Sequence, residues 1–123
     1  MDEKDEIIQK VLAELQELRL LDDKKFANNY VRSKTISTQP IGRVRLRQEL
    51  QKKGVSKSII ENVLSEVTSD DERSLAERLL NKKLGASIID SPEKKSKLIR
   101  YLLHRGFSYD IVYSLVDSKY IVQ

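Results

Sequence analysis

The chain has 123 residues, of which 34% are charged and 39% hydrophobic, a net charge of +4 and no cysteine. Average globular domains carry roughly 25% charged residues, so thin buried seams under a large solvated surface are expected in place of one thick core. A disulfide framework and thiolate chemistry are excluded, no apolar run is long enough to cross a bilayer, and the acidic start is unlike a signal peptide.

Ile7, Ile8, Val11, Leu12, Leu15 and Leu18 recur at the three-and-four spacing of an amphipathic helix and place a first helix over 6–18. Asp22-Asp23 reads as the start of the next helix, where acids complement the helix dipole. A further helix begins near Gly42, buries Leu46 and Leu50, and stops at Gly54, a residue that accepts the left-handed conformation closing many helices. Val55 supplies an apolar contact, and Ser56 is placed to cap a helix carrying Ile59, Ile60, Val63, Leu64 and Val67. Ser69 with Glu72 has capping-box spacing, and Ser91-Pro92 pairs a serine cap with proline at the first helical position. The final helices bear Leu98 and Leu102, then Ile111, Val112, Leu115 and Val116, with Gly106-Phe107-Ser108 between them. Alternation of period two is short everywhere, so the expected fold is all-α with about seven helices.

These helices repeat. Leu46 to Ile60 returns as Leu98 to Val112, with Leu46 on Leu98, Leu50 on Leu102, Lys53 on Arg105, Gly54 on Gly106 and Ser56 on Ser108. Asp22 to Ala27 likewise matches Asp71 to Ala76, and Ile7, Ile8, Val11 and Leu12 match Ile59, Ile60, Val63 and Leu64. Fixed-offset similarity of this kind marks stacked repeats. The expected organisation is two complete three-helix repeats, 22–67 and 68–123, preceded by residues 1–21 as the last helix of a truncated first repeat. Gly54 and Gly106 are expected to play equivalent parts in an elongated array.

Charge is distributed unevenly. Residues 1–23 hold three cations against eight carboxylates, and residues 24–57 hold ten cations against Glu49 alone, for local charges of −5 and +9. On the helix that buries Leu46 and Leu50, Arg45 and Lys52 lie nearly opposite the buried stripe, with Arg43 and Arg47 beside it. Guanidinium forks suit phosphate and carboxylate alike, so the basic repeat can meet nucleic acid or an acidic protein surface. The candidate binding residues are Arg32, Lys34, Arg43, Arg45, Arg47, Lys52 and Lys53.

Catalytic parts are missing. Asp22-Asp23 and Asp70-Asp71-Glu72 are assigned to helix capping. His104 is the sole histidine and matches Lys52, a surface position, so no relay or metal site can be built on it. The four glycines are too dispersed for a phosphate-cradling loop. Among the aromatic residues, helical spacing favours packing over base stacking, with Tyr109 and Tyr113, one turn apart, left as an exposed edge. The expectation is a protein that is not an enzyme and needs no cofactor or metal, soluble and cytoplasmic.

Three stretches resemble a known family. Leu21-Asp22-Asp23 with Phe26-Ala27 and Tyr30-Val31-Arg32-Ser33 is similar to a signature of the RecX regulatory proteins of bacteria. Arg45-Leu46-Arg47-Gln48-Glu49-Leu50 running into Lys53-Gly54-Val55 is another, and Leu98 to Leu102 through Arg105 to Val112 looks like the family's closing motif. The resemblance covers essentially the whole chain. It implies tandem three-helix units and a monomer that binds RecA and lodges in the groove of the RecA nucleoprotein filament. It further implies restraint of the recombinase, ATPase and coprotease activities, and so a place in homologous recombination, DNA repair and the SOS response. Single-stranded DNA is a further candidate partner. One departure stands out: the family has a full first unit, and here only its last helix is present.

Two alternatives come from the residues themselves. The joint Gln48–Leu64 imitates a DNA-binding helix-turn-helix, although its would-be recognition helix offers Lys57 as its only cation and no arginine for guanine. An interaction adaptor without nucleic-acid contact is the other.

Overall fold

Six helices follow one another through residues 2–121, the part of the chain that the computed structural model describes: α1 Glu3–Thr35, α2 Arg43–Lys52, α3 Lys57–Leu64, α4 Ser69–Leu84, α5 Pro92–His104 and α6 Tyr109–Lys119. The outermost residues of the first and last expected segments, Met1, Val122 and Gln123, lie outside the described residues. Among the described residues β structure is limited to one isolated bridge, in which the Ile121 amide donates to the Ile89 carbonyl at 2.9 Å. The fold is all-α.

The helix count falls to six because the two expected helices before Gly42 are one. No glycine or proline interrupts residues 3–35, and aspartate within a helix costs only a few tenths of a kcal/mol, about 0.7 at most. Asp22 and Asp23 therefore sit inside α1 and cap nothing; the capping acid is Asp2, which accepts from the Asp5 amide at 3.0 Å. Only Ala27 and Val31 of α1 are buried. The stripe from Ile7 to Leu18 faces solvent along an arm that extends away from the packed helices.

Two hydrophobic clusters form. The first joins Ala27 and Val31 of α1 to Ile41, Leu46, Leu50, Val55, Ile59, Ile60, Val63 and Leu64. The second joins α4, α5 and α6 through Ala76, Leu79, Leu80, Ile89, Leu98, Ile99, Leu102, Phe107, Val112, Leu115 and Val116. The accessible surface of 8568 Å² exceeds the roughly 6,800 Å² of a compact monomer of this mass, as two small cores and a free arm require.

Matching glycines close α2 and α5 in the same way. Gly54 and Gly106 have φ of +83° and +92°. Their amides donate to Gln51 and Leu103, and the next amides, of Val55 and Phe107, donate five residues back to Leu50 and Leu102. Both are Schellman motifs with a buried apolar residue after the glycine.

Their surroundings differ sharply. A Cβ on Gly54 would meet nothing within 4 Å, whereas one on Gly106 would fall 2.2 Å from the Arg45 Cβ. The amino end of α2 is seated there. Gly42 has no side chain with which to cap the helix, so the carbonyls of Arg105 and Gly106 accept from the Gly42 and Val44 amides at 2.9 and 3.1 Å. A Cβ on Gly42 would lie 2.3 Å from the Gly106 carbonyl oxygen.

Cations bind the connecting segment before α2 in the same region. The Arg105 guanidinium donates to the carbonyls of Gln39 (2.6 Å) and Pro40 (3.4 Å), Arg78 to those of Thr35 (2.9 Å) and Ser37 (3.0 Å), and Lys82 to that of Thr38 (3.4 Å).

Other caps shift slightly from expectation. The capping box of α4 is Thr68 with Asp71, one residue earlier than Ser69 with Glu72. Ser91 caps α5 as expected, with Pro92 in its first turn. Ser108 precedes α6 but its hydroxyl donates to Glu72, which is 1% exposed and also accepts from the Ser108 amide at 3.0 Å. Glu72 thus caps α6 from across the core.

Two outcomes follow for stability. Gly54→Ala should cost about 1 kcal/mol through backbone strain alone. Gly106→Ala adds overpacking of about 1–3 kcal/mol, so its urea midpoint should fall well below that of Gly54→Ala; equal midpoints would refute the close approach. Glu72→Ala should cost about 1–3 kcal/mol by leaving the Ser108 amide unpartnered, with Glu72→Gln milder because the amide oxygen still accepts, both read from chemical denaturation.

Candidate partner-binding face

Helix α2 carries Arg43, Arg45 and Arg47 near its amino end and has no acid in its first turn. Cations there oppose the helix dipole, which favours negative charge at that end. Leu46 and Leu50 point into the core, and at about 100° per residue the remaining positions split into two flanks.

One flank is organised by Tyr30 and Glu49. The Tyr30 hydroxyl donates to Glu49 Oε2, and Arg45 Nε donates to Glu49 Oε1 at 3.3 Å. Lys34 and Lys53 place their ammonium groups 5.4 and 5.2 Å from the centre of the Tyr30 ring, within cation–π range. Burial, the hydrogen bond to Glu49 and that residue's negative charge push the Tyr30 hydroxyl up to about 12. Burial works against ionisation of Glu49, but the hydrogen bonds from Tyr30 and Arg45 and the nearby Lys34 hold its carboxyl below the ordinary range. Lys52 is exposed on this flank. It borders a groove of about 410 Å³ with Arg45, Gln48 and, from the end of α5, Leu103 and the exposed His104.

The other flank faces α3. Arg47 grips Glu61 with both ends of its fork, Nε at 2.7 Å and Nη2 at 3.3 Å, and this hydrogen bonding lowers the Glu61 carboxyl. Arg43 is half-buried, with a buried Nε that has no hydrogen-bond partner among the described residues. Arg32 is exposed on α1, about 200° around the helix from Tyr30.

The seven expected residues therefore form two groups. Lys34, Arg45, Lys52 and Lys53 gather on one flank, Arg43 and Arg47 lie on the other, and Arg32 stands apart. Composition gave no sign that Arg45 and Arg47 are held by carboxylates. The available clue was Glu49 itself, the single acid among ten cations in residues 24–57. The parts played by Tyr30 and by Arg78, Lys82 and Arg105 were missed because their partners are 19 to 66 residues distant.

Among the described residues no group of three or more His, Asp or Glu side chains could hold a metal ion. In the Asp70-Asp71-Glu72 run, Asp71 caps α4 and Glu72 caps α6. No described helix is long and apolar enough to cross a membrane.

Comparison with known proteins accords with this geometry. Residues 22–64 match the model of the second three-helix domain of RecX, and residues 70–116 that of the third. The regulatory protein RecX of Clostridium botulinum (strain Eklund 17B) is 37% identical over 114 residues, covering 90% of this chain and 52% of that protein. That of Prosthecochloris aestuarii is 39% identical over 117 residues, covering 93% of this chain and 73% of its own length. The crystal structure of RecX from Lactobacillus salivarius superimposes with a TM-score of 0.63 at 31% identity, over 90% of this chain and 72% of that one. The chain spans about half the length of the clostridial relative and nearly three quarters of the other. With two family domains in succession and a relative 39% identical over 73% of its length, the chain belongs to the RecX family of regulatory proteins.

Proposed function

We propose that this chain binds RecA and the RecA nucleoprotein filament through the cationic flanks of α2, restraining the filament's recombinase, ATPase and coprotease activities without catalysis of its own. The observation that carries the reading is the amino end of α2. Three arginines occupy a position that the helix dipole disfavours, and Glu49 and Glu61 engage only two of them. Residues that oppose local preference are a mark of function. Guanidinium forks suit the carboxylates of a protein surface and the phosphates of DNA alike, and a nucleoprotein filament contains both. Arg32, Lys34, Arg43, Arg45, Arg47, Lys52 and Lys53 are the proposed contacts, and the proposed form is a cytoplasmic monomer.

The helix-turn-helix alternative loses ground on geometry. Its recognition helix would be α3, eight residues long, with Glu61 already tied to Arg47.

Added to preformed RecA filaments on single-stranded DNA, the protein should co-sediment and slow steady-state ATP hydrolysis; an unchanged rate without co-sedimentation at saturating protein would refute the proposal. Arg45→Ala with Lys52→Ala should weaken filament binding by about fivefold or more, as loss of two charge contacts of roughly 0.5–1 kcal/mol each would give. Any affinity for DNA alone should fall with log salt at a slope of about −0.7 per phosphate contact, and the double variant should flatten it.

A further inference from the structure

The face formed by α5 and α6 has features that the binding of a filament through α2 leaves unused. Tyr109 and Tyr113, one turn apart on α6, stack with ring centres 5.5 Å apart and planes 10° from parallel. Their exposures are 65% and 43%, while Phe107, just before the helix, is 2% exposed. Beside them is a groove of about 500 Å³ bordered by Tyr113, Tyr120, Lys95 and Arg100, with Ile99 among its lining. That volume lies within the roughly 300–1,000 Å³ of clefts that take a small ligand.

We propose that this face binds the unpaired bases of a single nucleic-acid strand, as a site separate from the cationic flanks of α2. Two parallel exposed rings form a platform on which a base extends the stack, and every base has a π-face to offer. Among the described residues, an unpaired cation stands beside the platform. Helix α5 carries Lys94, Lys95, Lys97 and Arg100 against Glu93, and α6 carries Asp110 and Asp117; Lys94 pairs with Asp90 and Lys95 with Asp117. Arg100 is exposed and has no ion-pair partner among the described residues. Lys95 is held 2.6 Å from Asp117 with its ammonium 4.9 Å from the centre of the Tyr120 ring. That pairing leaves Arg100 as the cation at the groove edge that a backbone phosphate would meet. A duplex fits this chemistry poorly, since its bases are already stacked and cannot present their faces to tyrosine. Protein interfaces also draw on tyrosine and arginine, so a protein-docking face is the competing outcome that the test distinguishes.

The test uses the full chain and two oligomers of about ten nucleotides, oligothymidylate and an abasic strand of the same length, with binding read by fluorescence anisotropy. Tyr109→Ala with Tyr113→Ala should lower affinity for oligothymidylate about tenfold or more and change affinity for the abasic strand by less than about twofold. Tyr109→Phe with Tyr113→Phe keeps both rings and should bind like the parent, and Arg100→Gln should weaken both oligomers. Equal losses on the two strands, no loss from the alanine pair, or no binding by the parent would overturn the proposal. So would loss of RecA co-sedimentation with oligothymidylate affinity intact, which would identify a protein-docking face. Because the α2 cations are untouched in these variants, failure here leaves the filament reading standing, and failure of that reading leaves this one standing.

Discussion

The close approach of Gly42 and Gly106 is the constraint on which the arrangement of the units depends. Helix α2 begins with a residue that has no capping group, so its first amides must find acceptors elsewhere. They find them in two carbonyls of the turn between α5 and α6, and these are reached only because neither glycine carries a Cβ. Free amide donors and orphan carbonyls at helix ends are usually met by capping side chains, water or a tightened last turn. Here one helix's beginning and another's end satisfy each other, and the orientation of the two three-helix units is fixed by hydrogen-bond geometry more than by a broad apolar surface.

The same seam positions the cationic helix. Arg45 is itself seated against Gly106, and the segment leading into α2 is held by Arg78, Lys82 and Arg105 through its backbone carbonyls. These cations serve the fold, whereas on α2 Arg45 and Arg47 meet the carboxylates of Glu49 and Glu61. The Tyr30, Glu49 and Arg45 contacts then fix the side chains of one flank.

Much of this was legible in the sequence because the repeat is local. The glycine–apolar–serine punctuation at Gly54-Val55-Ser56 and Gly106-Phe107-Ser108 located two helix ends, and the three-and-four spacing located the buried stripes. What periodicity could not show was the unlike environment of like residues. Gly54 and Gly106 share a conformation, but only Gly106 has Arg45 against it. Glu72 reads as a cap for its own helix and serves instead the helix 36 residues on. Asp22-Asp23 reads as a helix start, yet a carboxylate pair with no glycine or proline nearby has nothing to stop the preceding helix from running through it. For the binding face, the net charge of the segment was readable; its division into two flanks depends on which carboxylate each guanidinium meets in three dimensions.

That uninterrupted helix has a mechanical consequence. A flexible joint near Asp22 would let the segment bearing Ile7 to Leu18 turn freely against the packed helices. As a continuous α-helix, α1 locks the angular phase of that stripe to Ala27 and Val31, which are anchored in the first core. One added residue between Leu18 and Ala27 would rotate the stripe by about 100° and displace it by about 1.5 Å along the axis. The spacing between the two sets of residues is therefore as much a part of the design as their identity. Any surface that covers the stripe is presented to the cationic unit at one defined bearing.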